Sequence, residues 1–282
     1  MTPATTAAAV RVPELDADLV VRALALALSQ TLDDAGRSGF VVGLSGGVDS
    51  ALAAAIAVRA AGPAAVHAFH LPSGEAVTDS VEVAREVADH LGVELETVSV
   101  GALVDGAPLA AQEPHGRGNF TSRIRMAILY DRAAALDALV LGTSNKSEIA
   151  LGYTTLWGDM AADCWPLGDL YKTQVLDVAR SIGLPLSVVE RTPSAELWDG
   201  QTDEGELGFS YGLADVVLYT YLERRRRPEE IAALGIEADV VERVLDRVRR
   251  NAFKRRLPWI PKLTTRTVGH DFLHPRAWRG PA

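Results

Sequence analysis

One cysteine in 282 residues, Cys164, excludes an internal disulfide and any cysteine-rich zinc site. A reducing, cytoplasmic setting fits that usage. Histidine is also sparse, with six residues and no ligand-spaced cluster. His67 and His70 stand three apart around an apolar strand, where a hydrogen-bonded structural role is the expectation. Long apolar runs are missing, and no stretch nears the roughly 18 residues that a membrane span requires. Met1 to Arg11 lacks the basic segment followed by an apolar one that marks a signal peptide. Basic charge is in deficit: 28 Lys and Arg against 37 Asp and Glu give a net charge of -9. That balance speaks against a nucleic-acid coat. The one basic run, Arg224 to Arg227, follows Tyr219, Tyr221 and Leu222. It reads as a solvated helix end, where cations sit well beside the last carbonyls.

What is present is a chain of ordinary globular composition, long enough to bury a sizeable core. Leu19, Val20, Leu24, Leu26, Leu28 and Leu32 recur at helical spacing, so a helix is expected over 15–32. Gly39 to Leu44 is a short continuous apolar run, the mark of a buried strand. A helix over 50–59, a strand over 65–71, a helix over 77–90 and a strand over 94–98 follow. A helix over 119–136 leads to a strand over 138–141. Strands alternating with helices predict an α/β fold: a Rossmann-like parallel sheet flanked by helices on both faces. Residues 153–168 and 194–208 read as long irregular loops, and ordered loops of that length are usually functional. Helices are expected at 172–182 and 240–252. The whole of 1–282 reads as one domain, with 1–12 flexible and 257–282 an extended C-terminal tail.

The sharpest local signal is Ser45-Gly46-Gly47-Val48-Asp49-Ser50, between the first strand and a helix. Two glycines let the chain approach a ligand closely. Serine hydroxyls and the helix N-terminus make a cradle for an anion of pyrophosphate size. An acid inside such a cradle repels phosphate unless a cation intervenes, so Asp49 points to Mg²⁺.

This SGGxDS loop resembles that of the N-type ATP pyrophosphatases, which cleave ATP to AMP and pyrophosphate. Further segments narrow the resemblance. Asn119 with Ser122-Arg123-Ile124-Arg125-Met126 and Tyr130, and Gly142-Thr143-Ser144-Asn145-Lys146-Ser147-Glu148, resemble the ammonia-dependent NAD synthetases. So do Gly152-Tyr153-Thr154-Thr155, Gly158-Asp159, Gly168 to Val175, Pro193 to Trp198 and Gly200 to Gly208. The likeness runs in chain order over about 20–275.

The resemblance implies ATP-dependent amidation of nicotinic acid adenine dinucleotide (deamido-NAD) through an adenylated carboxylate. Residue by residue, it assigns ATP to Gly43, Leu44, Ser45, Gly46, Gly47, Val48, Asp49, Ser50, Thr143, Lys172 and Ser194. Asp49 and Glu148 would hold Mg²⁺, and Asp49 and Lys172 would be catalytic. Asp49 has a second expected role, capping the start of its helix. Deamido-NAD would meet Arg123, Leu156, Asp163, Phe253 and Lys254. Two of these depart from the family pattern: Leu156 replaces a lysine and Phe253 a histidine. Trp157 or Phe253 stacking on a ring is one consequence. A paralogue acting on a different carboxylic acid is the alternative. About forty residues precede the first strand, below the size of a glutaminase domain. Free ammonia is therefore the expected donor, with a separate glutaminase chain also open. The family's homodimeric state is expected here. An RNA-acting relative is disfavoured by the acidic balance, and a non-catalytic ATP module by the retained Asp49, Glu148 and Lys172.

Overall fold

Four short parallel strands set the frame, in the order β3-β2-β1-β4. A computed structural model of the chain describes residues 10–73, 78–108, 113–194, 201–256, 258–269 and 271. Helix α1 (Ala17–Ala35) starts on Asp16, whose carboxylate accepts from the Leu19 N–H at 3.0 Å. It stops at Gly36, in the left-handed conformation that ends many helices. Then come β1 (Gly39–Gly43), α2 (Val48–Ala61), β2 (Val66–His70), α3 (Thr78–Leu91), β3 (Leu95–Thr97), α4 (Gly101–Asp105), α5 (Pro114–Ala135) and β4 (Ala138–Leu141). The rest is helical: α6 (Lys146–Leu151), α7 (Lys172–Ser181), α8 (Leu186–Val189), α9 (Asp203–Leu207), α10 (Tyr211–Leu222), α11 (Pro228–Ala232) and α12 (Ala238–Arg250).

Side chains alternate across a strand, and here both faces are covered. Phe40 and Val42 of β1, with Ala68 of β2, pack against Leu28 of α1, Leu52 and Ile56 of α2, and Val178 of α7. Val41, Phe69 and Val140 point the other way, onto Ala133, Ile124 and Ile128 of α5. Each buried large apolar side chain contributes about 1.5–3 kcal/mol. A third cluster is built mainly on helices, with Leu151, Val217, Leu218, Ile231, Val244 and Leu245 from α6 and α10–α12. Among the described residues, no helix is long and apolar enough to cross a membrane.

The topology places the site. The chain steps outward from β1 to β2 to β3, then returns to lay β4 on the free side of β1. Loops leaving the carboxyl ends of β1 and β4 therefore diverge, and the crevice between them is where open α/β sheets bind ligands.

Several expectations need correction. The segment after β1 becomes helical two residues earlier than expected, so Val48, Asp49 and Ser50 lie in the first turn of α2. Helix α5 begins at Pro114, five residues before Asn119, because proline fits the first turn of a helix. Part of the expected loop over 194–208 is the short helix α9, and 195–200 lie outside the described residues. In the segment expected to be flexible, Val10 and Val12 pack against the third cluster, and the Gln174 side chain donates to Pro13 O at 2.9 Å. Residues 1–9 and 272–282 lie outside the description, while 258–266 carry no regular element. The arginine run does follow the end of α10. It is exposed, and Arg226 reaches forward to Glu230 at 3.2 Å.

Candidate active site

A cavity of about 250 Å³ opens at the diverging loops. Gly43, Leu44, Ser45, Gly47, Asp49 and Ser50 line it from β1 and α2, with Thr143 and Glu148 after β4. Lys172 and Ser194 come from later in the chain. Gly46 and Val48 are not among the lining residues. Gly46 has φ +85, and a Cβ there would lie 3.0 Å from Ser80 O, so glycine suits the position on both counts. Within the loop the serines close on the backbone. Gly47 N–H donates to Ser45 Oγ at 3.2 Å, Ser45 N–H donates to Ser50 Oγ at 3.2 Å, and Ser50 Oγ–H donates to Gly47 O at 2.9 Å. The hydroxyls expected to greet an anion thus hold the loop's shape, and a phosphate would exchange with them.

Asp49, Glu148 and Lys172 form the charged centre. The Lys172 ammonium, almost fully buried, pairs with Asp49 Oδ2 and lies 3.5 Å from Glu148 Oε1. Asn145 ties the two carboxylates together. Its Nδ2 donates to Asp49 Oδ1 at 2.8 Å, and its Oδ1 accepts from Glu148 N at 3.0 Å. Glu148 Oε2 in turn accepts from Asn145 N at 3.2 Å, completing a capping box at the start of α6. Asp49 accepts from these side chains and makes no cap on α2, so its expected capping role is not observed. Burial, and then the charge of Asp49, push the Glu148 carboxyl up to about 8, with Lys172 pulling the other way. Asp49 and Glu148 lift the lysine well above its ordinary value despite burial. With one ammonium between them, the two carboxyls cannot both ionise without an excess of negative charge, so Glu148 holds its proton until a hard dication makes its charge favourable.

Asn145 carries a signal that could have singled it out: Asn-x-x-Glu ahead of an apolar turn is a helix-start pattern. Asp215, fully buried on α10, is another missed residue. It accepts from Ser147 Oγ at 2.5 Å and from Thr173 N at 2.9 Å, while Ser147 Oγ accepts from Lys172 N at 2.9 Å. It thereby fixes the starts of α6 and α7, which carry Glu148 and Lys172. A lone acid in the apolar run Tyr211 to Leu222 was the visible clue. Asp203 and Tyr153 also line the cavity.

Residues expected on the dinucleotide side are placed differently. Among the described residues, Arg123, Leu156, Asp163, Phe253 and Lys254 do not line this cavity. Arg123 Nε donates to Leu156 O at 3.3 Å. Asp163 Oδ2 accepts from Val140 N at 2.7 Å, anchoring the loop to β4. The Lys254 ammonium donates to Gly152 O at 2.8 Å and Thr154 O at 2.7 Å. Desolvation lowers its pKa, against the opposing pull of Asp159. Phe253 is 58% exposed and Trp157 49%, the latter with φ +61, a conformation rarely adopted by bulky residues. Cys164 packs at the margin of the first core cluster, and its carbonyl accepts from Gly142 N at 2.9 Å.

Comparison with known proteins gives consistent findings. Residues 20–258 match the family model described as NAD synthase. The chain is 42% identical over 266 residues to an NH(3)-dependent NAD(+) synthetase of Trichlorobacter lovleyi, covering 94% of this chain and 97% of that one. It is 42% identical over 252 residues to the protein of the same name from Thermococcus kodakarensis, covering 88% and 98%. Among solved structures, an NMN synthetase from Francisella tularensis superposes with a TM-score of 0.77 at 30% identity, covering 89% of this chain and 100% of that chain. An NH3-dependent NAD synthetase from Campylobacter jejuni gives 0.74 at 29% identity, covering 88% and 100%.

Proposed function

Because the chain belongs to the NAD synthase family, we propose that it joins ammonia to the carboxylate of deamido-NAD, giving NAD, AMP and pyrophosphate at the expense of ATP. One observation carries the reading: Asp49, Glu148 and Lys172 meet on a cavity floored by the glycine-rich loop. A carboxylate becomes an acylating agent only when one oxygen is made a good leaving group. The substrate oxygen attacks the α-phosphorus of ATP and pyrophosphate departs. Ammonia then attacks the acyl carbon, and AMP leaves with the C–O electron pair. Phosphoryl transfer of this kind depends on positioning and on neutralising charge.

The residues present fit Mg²⁺, since Asp49 and Glu148 offer two carboxylates, the usual number beside substrate phosphates. When bound, the ion supplies charge neutralisation at the phosphates. Lys172, relieved of its two carboxylates, can then turn its ammonium to a phosphate oxygen. Thr143 and Ser194 flank the same space with hydroxyls. Free ammonia as donor follows the relatives' names, and a separate glutaminase could feed the same step. A cytoplasmic homodimer is the expected state. The pairing would bring a second surface to Arg123, Leu156, Asp163, Phe253 and Lys254, which lie outside the cavity of one chain. A different carboxylic acid is the second reading, favoured by the engagement of Lys254 with backbone carbonyls and by the uncharged Leu156 and Phe253.

The test follows pyrophosphate and NAD together, with ATP, Mg²⁺ and ammonium, with and without deamido-NAD. Both products should appear only with deamido-NAD. Asp49→Asn should lower the rate about 100-fold or more with little change in melting temperature. Pyrophosphate release independent of deamido-NAD, or undiminished turnover in Asp49→Asn, would overturn the reading.

A further inference from the structure

Arg191 lines the cavity, half-buried, in the turn that follows α8. Its backbone is held from behind, since Val188 and Val189 belong to the first core cluster and the Arg191 N–H donates to Val188 O at 3.4 Å. Its guanidinium reaches the glycine-rich loop: a Cβ placed on Gly46 would lie 3.3 Å from Arg191 Nη1. Glycine at 46, with φ +85, therefore serves the approach of this side chain as well as the turn.

The other cations on the cavity are placed for other tasks. Lys172 stands between Asp49 and Glu148. Arg125 comes from α5 with the apolar Met126 and Leu129, and its Nε donates to Leu71 O, just past β2, at 2.9 Å. Asp49, Glu148, Asp159 and Asp203 bring carboxyl groups to the same space, and ATP adds negative charge to them. Its phosphates suit the glycine-rich loop, where the first N–H groups of α2 have no side-chain cap. Arg191 brings a cation to this loop. The same side chain borders an open groove that carries Glu82, Glu86 and Glu190, so it forms a wall between those carboxylates and the phosphates. A guanidinium has five donors in a planar fork, enough for its neighbours and for two phosphoryl oxygens at once.

We propose that Arg191 binds the β- and γ-phosphates of ATP and keeps hold of them as the departing pyrophosphate; this rests on the ATP-dependent activation proposed above. In that step the carboxylate oxygen of the substrate bonds to the α-phosphorus. The bond from that phosphorus to the α–β bridging oxygen breaks, and pyrophosphate leaves with the electron pair. The leaving group thereby gains a negative charge, and Arg191 offsets it at the oxygens it already holds.

Binding measured on the full chain with Mg²⁺ tests this without any acid substrate. Titration calorimetry gives the Kd for ATP, for AMP and for pyrophosphate. Arg191→Met should weaken ATP and pyrophosphate about tenfold, the worth of one charge-assisted contact, and change AMP less than about twofold. Arg191→Lys keeps the charge and loses the fork, so ATP should weaken about threefold; this variant carries the test should Arg191→Met fail to fold. A merely structural arginine would weaken ATP and AMP alike. Equal losses for ATP and AMP, or an unchanged Kd for ATP and pyrophosphate, overturn the proposal. A parent and variant that show the contrast, in a chain that makes no NAD, overturn the deamido-NAD reading and uphold Arg191. A parent that binds no ATP overturns both.

Discussion

The two halves of the site are built in opposite ways. On the ATP side, Asp49, Asn145, Glu148 and Lys172 are buried against one another and supported from behind by Ser147 and Asp215. On the other side, Arg123, Asp163 and Lys254 turn to backbone oxygens and N–H groups, and Phe253 and Trp157 face outward. One half is complete within a single chain. The other is held in shape by hydrogen bonds to its own loop and offers exposed aromatic surface. The proposed active site is thus pre-assembled where charge is concentrated and left open where the proposed dinucleotide and second subunit would meet.

Three experiments would break or sharpen this contrast. The largest effect is expected from Lys172→Met, which leaves two buried carboxylates without their cation. Stability should fall by about 3 kcal/mol, and pyrophosphate release should be lost. Chemical denaturation checks the first and the coupled assay the second; a stable variant would show that the acids do not depend on the lysine.

Next is Gly152→Ala, at the left-handed end of α6, where the Gly152 carbonyl accepts from Lys254. Gly152 has φ +65, and a Cβ there would sit 2.1 Å from Asn251 Cβ. Asn251 cannot easily give way, since its side chain donates to Leu151 O and Arg247 O at 3.0 and 3.1 Å. A loss of about 1–3 kcal/mol is expected, with the KM for deamido-NAD raised more than that for ATP. Equal changes in the two KM values would argue that the halves are coupled.

The smallest effect is a slope. Folded Glu148 keeps its proton up to about pH 8, whereas the unfolded chain loses it near 4.5. The folded state binds the extra proton between those values, so this contribution to stability is full below the lower one and is lost as pH rises through the upper one. Without Mg²⁺, Glu148→Gln should lose less stability than the parent between pH 5 and 9. Denaturation midpoints across that range give the answer, and parallel curves would show that Glu148 ionises freely.

The sequence makes the sheet and its helices legible because alternation and apolar runs are local signals. All four strands and helices α1–α3, α5, α7 and α12 lie where periodicity puts them, within a few residues. Helix α10 is apolar on nearly every side, so it has no stripe to read; it is a helix because α7, α11 and α12 surround it. Short α4, α6, α8, α9 and α11 are too brief for a period to show. For the site, Asp49, Glu148 and Lys172 stand out through motif, and the structure brings them together. Asp203, though inside the quoted segment Gly200 to Gly208, and Asp215 do not stand out, because what distinguishes them is burial, and burial is decided by distant segments. Lys254 illustrates the reverse: only the family resemblance assigns it to a ligand, and its partners are the carbonyls of a loop about a hundred residues away.

The distances along the chain have a consequence for synthesis. Asp49 meets Asn145 across 96 residues and Lys172 across 123. On the ribosome, the glycine-rich loop emerges well before the lysine that completes the charged centre. At about 5–20 residues per second, those 123 residues take roughly 6–25 s to make. Until then the growing chain carries Asp49 without its cation and, for the first 96 of those residues, without its amide partner as well. Completion of the charged centre thus marks the arrival and docking of the second half of the chain.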